Sequence, residues 1–454
     1  MTTLRARLVR AAAGSFALTV TSTVLVFLST LLLTRLLGDE GYGVFAFATS
    51  LAGMLALPAT VGLDAVVIRH LSRYEAMSQW SLANALLRRA HQIPFLVSVV
   101  AVLSVGLATT AAVSDQDLTV ALSLALASVP LIALSRIRSG VLAGLQHVVL
   151  AQVPDSLVRP LFLIGAIVGS QLIASTRLTP TVAVAFATAA YAVAFVVGSI
   201  LLARRLPQAI RAARPEYHTR AWMRVALPLT FLGGTTLVTQ HIATVVLGAS
   251  RTPEDAGLFS VAARIALLVA FPLAAVNAAL GPTVARLWAS GDMERLQRAL
   301  TRSAQGTLLV SLPITLGVVV LGPWLLSLFG PGFQPAYPAL VILTVGQLAN
   351  AMAGSVGVLH TMSGHERLAA QTVGIAAVIN VLLSLVLAPA WGPTGAALAA
   401  AATLVGWNMV LAYHARKRLG LSTTAIPGRR SSLRRPASVS DVQKEGRGPT
   451  DADL

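Results

Sequence analysis

Cysteine is absent from this sequence and charge is scarce: only 11% of its 454 residues are Asp, Glu, Lys or Arg. Without cysteine the chain has no disulfides, no thiolate nucleophile and no Cys-ligated metal. A soluble globular domain carries about 25% charged residues, whereas 56% of this chain is hydrophobic. One chain cannot hide so much apolar surface from water, and the composition predicts an all-α polytopic membrane protein.

Motifs for catalysis and cofactor binding are also missing. The sequence has no Gly-x-x-x-x-Gly-Lys-Ser/Thr loop to cradle phosphates, so we expect no ATP hydrolysis by the chain itself. No His-Glu-x-x-His helix occurs, and the histidines form no cluster with metal-ligand spacing. We therefore expect a protein that is not an enzyme and that carries no cofactor or metal.

Apolar runs of about 20 residues, the length that crosses a bilayer as a helix, recur along the chain. A window of about 19 residues finds twelve of them. The first follows the basic start MTTLRARLVR but is too long for a signal peptide, so we read it as an uncleaved span. The predicted spans are Gly14–Leu37, Val44–Val67, Gln92–Val113, Leu118–Ser135, Val153–Ala174, Pro180–Ala203, Trp222–Ala249, Ala256–Gly281, Gly306–Phe329, Ala336–Thr361, Leu368–Pro389 and Thr394–His414.

Basic residues alternate between the two sides of the predicted membrane. The N-terminus, the loops after even-numbered spans and the start of the tail hold 23 of them, against three in the other loops: Arg35, Arg177 and Arg251. Positive loops stay in the cytoplasm, so we expect a multi-pass protein of the bacterial plasma membrane with both termini cytoplasmic. The net charge of +17 is then explained by loop arginines that set the membrane orientation and attract anionic membrane lipids. We therefore expect no nucleic acid as a partner.

An internal repeat divides the chain. Gly43–Phe45 (Gly-Val-Phe) recurs 214 residues later as Gly257–Phe259 (Gly-Leu-Phe). Other pairs at or next to this offset are Pro58 with Pro272, Gly140 with Gly354 and Pro180 with Pro393. Because six spans precede the second half, both halves enter from the same side, a parallel repeat typical of transporters that bind cargo between halves. The predicted domains are an N-terminal six-helix lobe at 1–210, a C-terminal six-helix lobe at 211–416 and a disordered basic cytoplasmic tail at 417–454.

The most informative polar residue is Arg264, which lies inside the eighth span. A guanidinium in the hydrocarbon core costs at least about 2.5 kcal/mol unless it faces protein or water. Counted from the turn at Ser250–Asp255, His241 lies as far along the seventh span as Arg264 lies along the eighth, which predicts a shared depth. Arg264 would bind a phosphate or diphosphate; a structural arginine that snorkels or bonds helix carbonyls is the alternative.

Further polar residues inside the spans are candidates for the same cavity, with helix–helix hydrogen bonding as the alternative. For Arg35 we expect either a place at the outward mouth of the cavity or an ion pair with Asp39. Near span ends we expect two local ion pairs, Asp64 with Arg69 and Asp155 with Arg159. Prolines inside spans free backbone carbonyls and permit bends. The substrate-binding candidates are Arg264, His241, Gln240, Arg35, Asn277, Gln347 and Asn350, and the hinge candidates are Pro58, Pro272 and Pro313.

Two stretches resemble a known family. Leu36–Phe45 (LLGDEGYGVF) is similar to the "LG...YG.F" signature of bacterial polysaccharide-export and O-antigen-type flippases, members of the multidrug/oligosaccharidyl-lipid/polysaccharide exporter superfamily. Ala256–Phe259 with Ala262-Ala263-Arg264 resembles the seventh-to-eighth helix region of that family. Related lipid II flippases have Ala-Asp-Arg there, with the arginine in the central cavity; Arg264 matches it, whereas Ala263 replaces the aspartate.

This resemblance implies a V-shaped bundle of two six-helix lobes around a central cavity. It also implies a flippase that moves an undecaprenyl-diphosphate-linked oligosaccharide outward by alternating access, for surface polysaccharide such as lipopolysaccharide or exopolysaccharide. Membrane lipids, a polysaccharide polymerase and glycosyltransferases are the expected partners. The alternatives are a drug or cation antiporter, a lipid II flippase, a scaffold for glycan-synthesis enzymes and a membrane-embedded glycosyltransferase.

Overall fold

A computed structural model of the chain describes residues 2–112, 115–174 and 177–425, without the side chains of 2–13, 57, 112, 174, 228 and 231–237. Over these residues the chain is almost wholly helical, and no strand occurs among them. Four short segments have other helical geometry: π at 154–158 and 415–419, and 3₁₀ at 267–270 and 331–336. The α-helices are α1 Thr2–Thr60, α2 Leu63–Ala76, α3 Trp80–Ala112, α4 Gln116–Ala127, α5 Val129–Gly144, α6 Val148–Val153, α7 Arg159–Ala174, α8 Pro180–Arg205, α9 Gln208–Ala212, α10 Thr219–Ser250, α11 Pro253–Ala266, α12 Phe271–Ala289, α13 Met293–Val320, α14 Gly322–Phe329, α15 Tyr337–Ala353, α16 Val356–Met362 and α17 Glu366–His414.

In the described part of the chain, nine helical segments are long and apolar enough to cross a membrane. Two of them, Gly14–Thr60 and Glu366–Leu419, run for 47 and 54 residues, more than twice the roughly 20 residues that one crossing needs. Large apolar side chains also remain exposed along helices such as α3, where Leu107 is 72% exposed. The prediction of an all-α polytopic membrane protein is confirmed, while the number of twelve spans stays a prediction.

The two longest helices are each interrupted once by glycine. Gly38 in α1 has φ 73° and Gly392 in α17 has φ 59°, a left-handed region that residues with a Cβ rarely adopt. Gly38 falls in the predicted loop between the first two spans. Gly392 likewise falls between the predicted eleventh and twelfth spans. Each of these helices therefore contains a break where the sequence predicts a turn.

The chain divides into two compact units, and the division differs from the predicted lobes. The first unit combines Met1–Leu268 with Ile314–Gln347 and Val373–Leu404. The second combines Val269–Pro313, Leu348–Thr372 and Val405–Leu454. The lobes at 1–210 and 211–416 stay a prediction.

In the first unit, α1 and α11 cross at the glycines of the predicted repeat. A Cβ on Gly257 would lie 3.0 Å from the Cα of Gly43, and a Cβ on Gly43 would overlap the carbonyl oxygen of Pro253. Phe45 and Phe259, which follow these glycines, are buried in the core of this unit. This contact joins equivalent positions of the two predicted halves, which is consistent with the predicted repeat.

The second unit has its own core, and it includes the start of the predicted tail. Leu421 is fully buried with Leu296 and Leu300 of α13. Gln297 accepts a hydrogen bond from the backbone N–H of Ser422 and donates one to its carbonyl, both at 2.8 Å. The predicted disordered tail starts at 417, whereas Leu421 and Ser422 are held against α13; residues 426–454 of that prediction lie outside the described residues.

Candidate functional site

A cavity of ≈ 210 Å³ lies within the first unit, between α1, α7, α8, α10 and α11. Small side chains of α1 and α8, including those of Ala46 and Ala187, line the cavity and leave its space unfilled. It brings together residues that are far apart in the sequence. The lining residues are Val26, Ser29, Thr30, Leu33, Tyr42, Phe45, Ala46, Thr49, Ser50, Arg159, Pro160, Leu163, Ala187, Ala190, Tyr191, His241, Ser260 and Arg264.

Arg264 and His241, predicted to share one depth, both line this cavity. The His241 ring lies against Gly53 of α1, where a Cβ would come within 2.9 Å of Nε2, so the glycine makes room for the imidazole. Arg264 is partly buried on α11, and the described residues offer it no hydrogen bond and no carboxylate within 4.0 Å. Within the described part of the chain, its guanidinium is thus a cavity charge without a counter-ion.

A second guanidinium, that of Arg159, lines the same cavity. Its Nη1 donates to the Tyr191 hydroxyl at 3.1 Å, and its Cζ lies 5.0 Å from the centre of the Tyr191 ring. The predicted ion pair of Arg159 with Asp155 is wrong. Arg159 reaches Asp155 only through the backbone carbonyl, at 3.4 Å from Nε. Arg159 was missed as a site residue because the aspartate one turn away suggested a local partner.

Hydroxyl groups form most of the remaining polar surface of the cavity. They come from Ser29, Thr30, Tyr42, Thr49, Ser50, Tyr191 and Ser260, and Tyr42 lies 3.4 Å from Ser260 Oγ. No Asp or Glu is among the lining residues of the described chain. The site therefore combines two guanidiniums, an imidazole and a set of hydroxyls, which suits an anion attached to a polar, hydroxyl-rich group.

Arg35 and Gln240 lie outside the cavity lining. Arg35 donates to the backbone carbonyls of Leu328 and Ser327, at 2.5 and 3.4 Å, near the C-terminal end of α14. The end of a helix leaves carbonyls unpaired and carries partial negative charge, so a cation is stabilised there. Arg35 therefore neither pairs with Asp39 nor lines this cavity. Gln240 precedes His241 on α10 and is exposed.

The other amide candidates also lie away from the cavity lining. Asn277 is on α12 in the second unit, where its Oδ1 is buried without a hydrogen bond. Asn350 accepts a 2.9 Å hydrogen bond from Asn408, as expected of polar residues that connect helices. Gln347 lies on α15 at the edge of the first unit. Their role in binding stays a prediction.

The carboxylates Asp64 and Asp155 pair with arginines of α5. Asp64 lies 3.5 Å from Arg136, not beside Arg69 as predicted. Asp155 lies 3.9 Å from Arg138, whose side chain is 1% exposed. Arg138 also donates from Nη1 to the carbonyl of Phe195 at 2.8 Å. These charges are neutralised within the protein, so they are unsuited to bind cargo in this conformation.

The hinge candidates occupy three different helical contexts. Pro58 lies in the last turn of α1. Pro272 opens α12 directly after the 3₁₀ segment 267–270, and Pro313 lies inside α13. A change of helix type next to Pro272 fits a bend, but movement at these positions stays a prediction.

Comparison with protein families gives the class of the chain. A family model described as "Polysaccharide biosynthesis protein" matches residues 8–288, well over half of the chain. The chain belongs to that family. A second family model, described as MatE, matches residues 228–386.

Relatives of this polysaccharide biosynthesis protein include two from Haloferax volcanii. One is described as the probable low-salt glycan biosynthesis flippase Agl15; it is 22% identical over 392 residues, which are 86% of this chain and 79% of the relative. The other, the probable flippase AglR, is 25% identical over 169 residues, or 34% and 33% of the two chains. The family and these relatives mark the chain as a membrane transporter of the flippase type, involved in glycan biosynthesis.

Solved structures share the fold of this polysaccharide biosynthesis protein. An inward-facing multidrug resistance MATE family transporter of the MOP superfamily aligns with a TM-score of 0.70 and 15% identity, over 88% of this chain and 94% of the other. The lipid II flippase MurJ aligns with a TM-score of 0.62 and 14% identity, over 88% of each chain. Together with the two family models and the Agl15 relative, this shared fold confirms the superfamily suggested by Leu36–Phe45.

Proposed function

We propose that this protein carries a lipid-linked oligosaccharide across the plasma membrane by alternating access. The lipid carrier is an undecaprenyl diphosphate, and the diphosphate-sugar head occupies the cavity while the prenyl chain stays in the bilayer. The observation that carries this proposal is the polarity of the cavity lining. Two guanidiniums and seven hydroxyl side chains line it, and none of its described lining residues is a carboxylate.

The free guanidinium of Arg264 is the principal contact to the diphosphate. Arginine donors match phosphate oxygens in a bidentate geometry, and among the residues that the structure describes Arg264 has no acceptor to give up on binding. Arg159, oriented by Tyr191, and His241 assist from α7 and α10. In this proposal the hydroxyls of Tyr42 and Ser260, which also line the cavity, hydrogen-bond the first sugar.

The cavity volume limits what this conformation holds. Small-molecule sites usually have about 300–1,000 Å³, and this one has ≈ 210 Å³. A space of this size accommodates the diphosphate with its adjoining atoms, and not a complete oligosaccharide. Binding of the whole head therefore requires the cavity to widen, as a transporter with alternating access does.

The polarity of the lining disfavours a drug or cation antiporter. A cationic cargo needs a carboxylate in the cavity, and the guanidiniums of Arg159 and Arg264 would repel it. Asp64 and Asp155 are engaged with arginines elsewhere in the first unit. A lipid II flippase remains an alternative with the same headgroup chemistry, distinguished by the sugar attached to the diphosphate.

Orientation and partners complete the proposal. The 23 basic residues of one set of loops, against three of the other, predict that both termini lie in the cytoplasm. Cargo then enters from the cytoplasmic leaflet, where glycosyltransferases assemble lipid-linked glycans, and leaves toward a polysaccharide polymerase outside. No ATP-binding loop occurs in the sequence, so the driving force is an ion gradient or the consumption of cargo.

A flipping assay tests the proposal. Purified protein is reconstituted into liposomes, and the transfer of a labelled undecaprenyl-diphosphate glycan between leaflets is followed. We expect Arg264→Gln to lower the rate about 10- to 100-fold, because a hydrogen bond to a charged group contributes about 1.5–3 kcal/mol and each 1.4 kcal/mol is tenfold. The flipping rate should fall less in Arg264→Lys, because this variant keeps the positive charge.

Arg302→Gln is the matched control, since it removes one exposed arginine from α13 in the second unit. Its flipping rate should equal that of the wild type. Each variant is first checked for monodisperse elution and unchanged thermal unfolding. A correctly folded Arg264→Gln protein that flips the glycan at the wild-type rate would remove Arg264 from the mechanism. Equal flipping of a neutral prenyl-linked glycan would refute diphosphate recognition.

A further inference from the structure

Another cavity lies in the first unit, away from the proposed transport site. It has a volume of ≈ 390 Å³ and opens between α3, the end of α8 and the short helix α9. The helix α9 packs against α3, and α5 packs against both α3 and α8. The lining residues are Asn84, Leu87, Arg88, His91, Gln92, Leu202, Leu206, Ile210 and Arg211.

This cavity has a basic rim over an apolar floor. Leu87 and Ile210 are buried beneath it, whereas Arg88 and Arg211 are exposed. Arg88 donates from Nε to Asn84 at 3.2 Å, and Nη2 of Arg211 donates to the carbonyl of Ala203. The other guanidinium donors of both residues have no protein acceptor in the described chain. Among the described residues no Asp or Glu lines this cavity, so the rim attracts an anion.

The wall of this cavity continues as a membrane-facing surface of α3. Arg88 and Gln92 are four residues apart, and Leu96, Val100 and Leu103 follow on the same helix face. These three apolar side chains are 64%, 55% and 60% exposed. The 12 residues from Arg88 to Val100 span about 18 Å at a rise of about 1.5 Å per residue, close to half of a bilayer core of about 30 Å. One acyl chain therefore fits along this face below the rim.

We propose that this cavity binds the headgroup of an anionic phospholipid, with an acyl chain along Leu96, Val100 and Leu103 of α3. The phosphate contacts the free donors of Arg88 and Arg211, and the glycerol and carbonyl groups lie near Gln92 and His91. A soluble phosphate would contact the basic rim but not the apolar floor or the exposed apolar face of α3 at Leu96, Val100 and Leu103. The combination of rim, floor and apolar face therefore favours a lipid. Basic cavities between helices on the cytoplasmic side are suited to such headgroups, and the loop charges predict that side for Arg88 and Arg211.

Native mass spectrometry of the full chain in detergent tests this site. The protein is titrated with phosphatidylglycerol and with phosphatidylcholine of identical acyl chains. We expect tighter binding of phosphatidylglycerol, and a loss of affinity of roughly 30-fold in the double variant Arg88→Gln/Arg211→Gln. The double variant Arg88→Lys/Arg211→Lys should keep most of the affinity because it keeps both charges.

The matched control is Arg295→Gln/Arg298→Gln, which removes two charges from α13, where both arginines already lie within 4.0 Å of acidic residues. It should bind phosphatidylglycerol within about twofold of the wild type. If this control lost as much affinity for phosphatidylglycerol as Arg88→Gln/Arg211→Gln, the loss would be an effect of net charge, and the proposed site would be refuted. Displacement of the lipid by 10 mM inorganic phosphate would assign a free-anion site instead, and equal binding of both lipids would also refute the proposal. Flipping by the glutamine variants is measured separately, so the outcome is independent of the proposed transport function.

Discussion

The crossing of α1 and α11 makes Gly43 the position where one methyl group should do most damage. A Cβ at residue 43 would overlap the backbone carbonyl of Pro253, and the next contact is the backbone N of Glu254 at 2.8 Å. Backbone atoms cannot rotate away as the end of a side chain can. In Gly43→Ala the two helices must therefore separate by about 1.5 Å before carbon and oxygen reach van der Waals contact.

The local geometry ranks the glycine-to-alanine variants by their expected loss of unfolding free energy. Overpacking of this kind costs about 1–3 kcal/mol, and Gly43→Ala should lie at the upper end. Gly257→Ala, whose Cβ would lie 3.0 Å from Gly43 and Asp39 backbone atoms, needs a shift of a few tenths of an ångström and should cost about 1 kcal/mol. The double variant should cost less than the sum, because separated helices accommodate both methyl groups. Gly106→Ala on α3 meets nothing within 4 Å and should gain about 0.5–1 kcal/mol of helix stability.

The measurement is the free energy of unfolding in mixed detergent micelles, titrated with dodecyl sulfate and followed by tryptophan fluorescence. The expected order of stability is Gly106→Ala, wild type, Gly257→Ala, Gly43→Ala. All four chains should share the same unfolding cooperativity if only the crossing is affected. A Gly43→Ala protein as stable as Gly106→Ala would show that α1 and α11 do not approach closely at these glycines, and the structural support for the repeat would be lost.

Two further stability predictions concern buried polar pairs. Asp155→Asn leaves the buried Arg138 without its carboxylate and should destabilise the protein by about 1–3 kcal/mol, whereas Asp115→Asn at an exposed helix cap should be neutral; equal stability of the two variants would contradict this. His360, fully buried, donates from Nδ1 to Val356 and accepts from His414 at 3.3 Å when both rings are neutral. A double-mutant cycle of His360→Leu and His414→Leu at pH 8 should give a coupling of about 0.5–1.5 kcal/mol, and zero coupling would exclude the bond.

Much of the fold follows from composition and helix geometry alone. Runs of about 20 apolar residues must be helical in a bilayer, since only helices satisfy their own backbone hydrogen bonds there. The shared position of His241 and Arg264 in one cavity followed from equal counts along two helices joined by a short turn, because each residue adds a fixed rise. The recurring Gly43 and Gly257 were equally visible, since only glycine permits such a close helix crossing.

The charge partners could not be found in the same way. The expected pair of Asp155 and Arg159 rests on α-helical spacing, which brings residues four apart to one face. The segment Pro154–Val158 is instead a π-helix, whose wider turn changes that alignment. Asp155 then meets Arg138, and Arg159 meets Tyr191. Such contacts depend on which helices are neighbours, and this was not evident from one sequence.

The arginines inside or near the predicted spans differ in how their charge is accommodated, and this difference favours Arg264 as the cargo contact. Arg35 bonds the carbonyls at the end of α14, Arg138 has carbonyls and a carboxylate, and Arg159 has a tyrosine hydroxyl and ring. Each of these partners offsets part of the cost of removing a guanidinium from water. Arg264 has no such partner among the described residues. A chain that gives its other embedded guanidiniums protein partners but leaves Arg264 beside a hydroxyl-lined cavity keeps that guanidinium available for an anion from outside the protein.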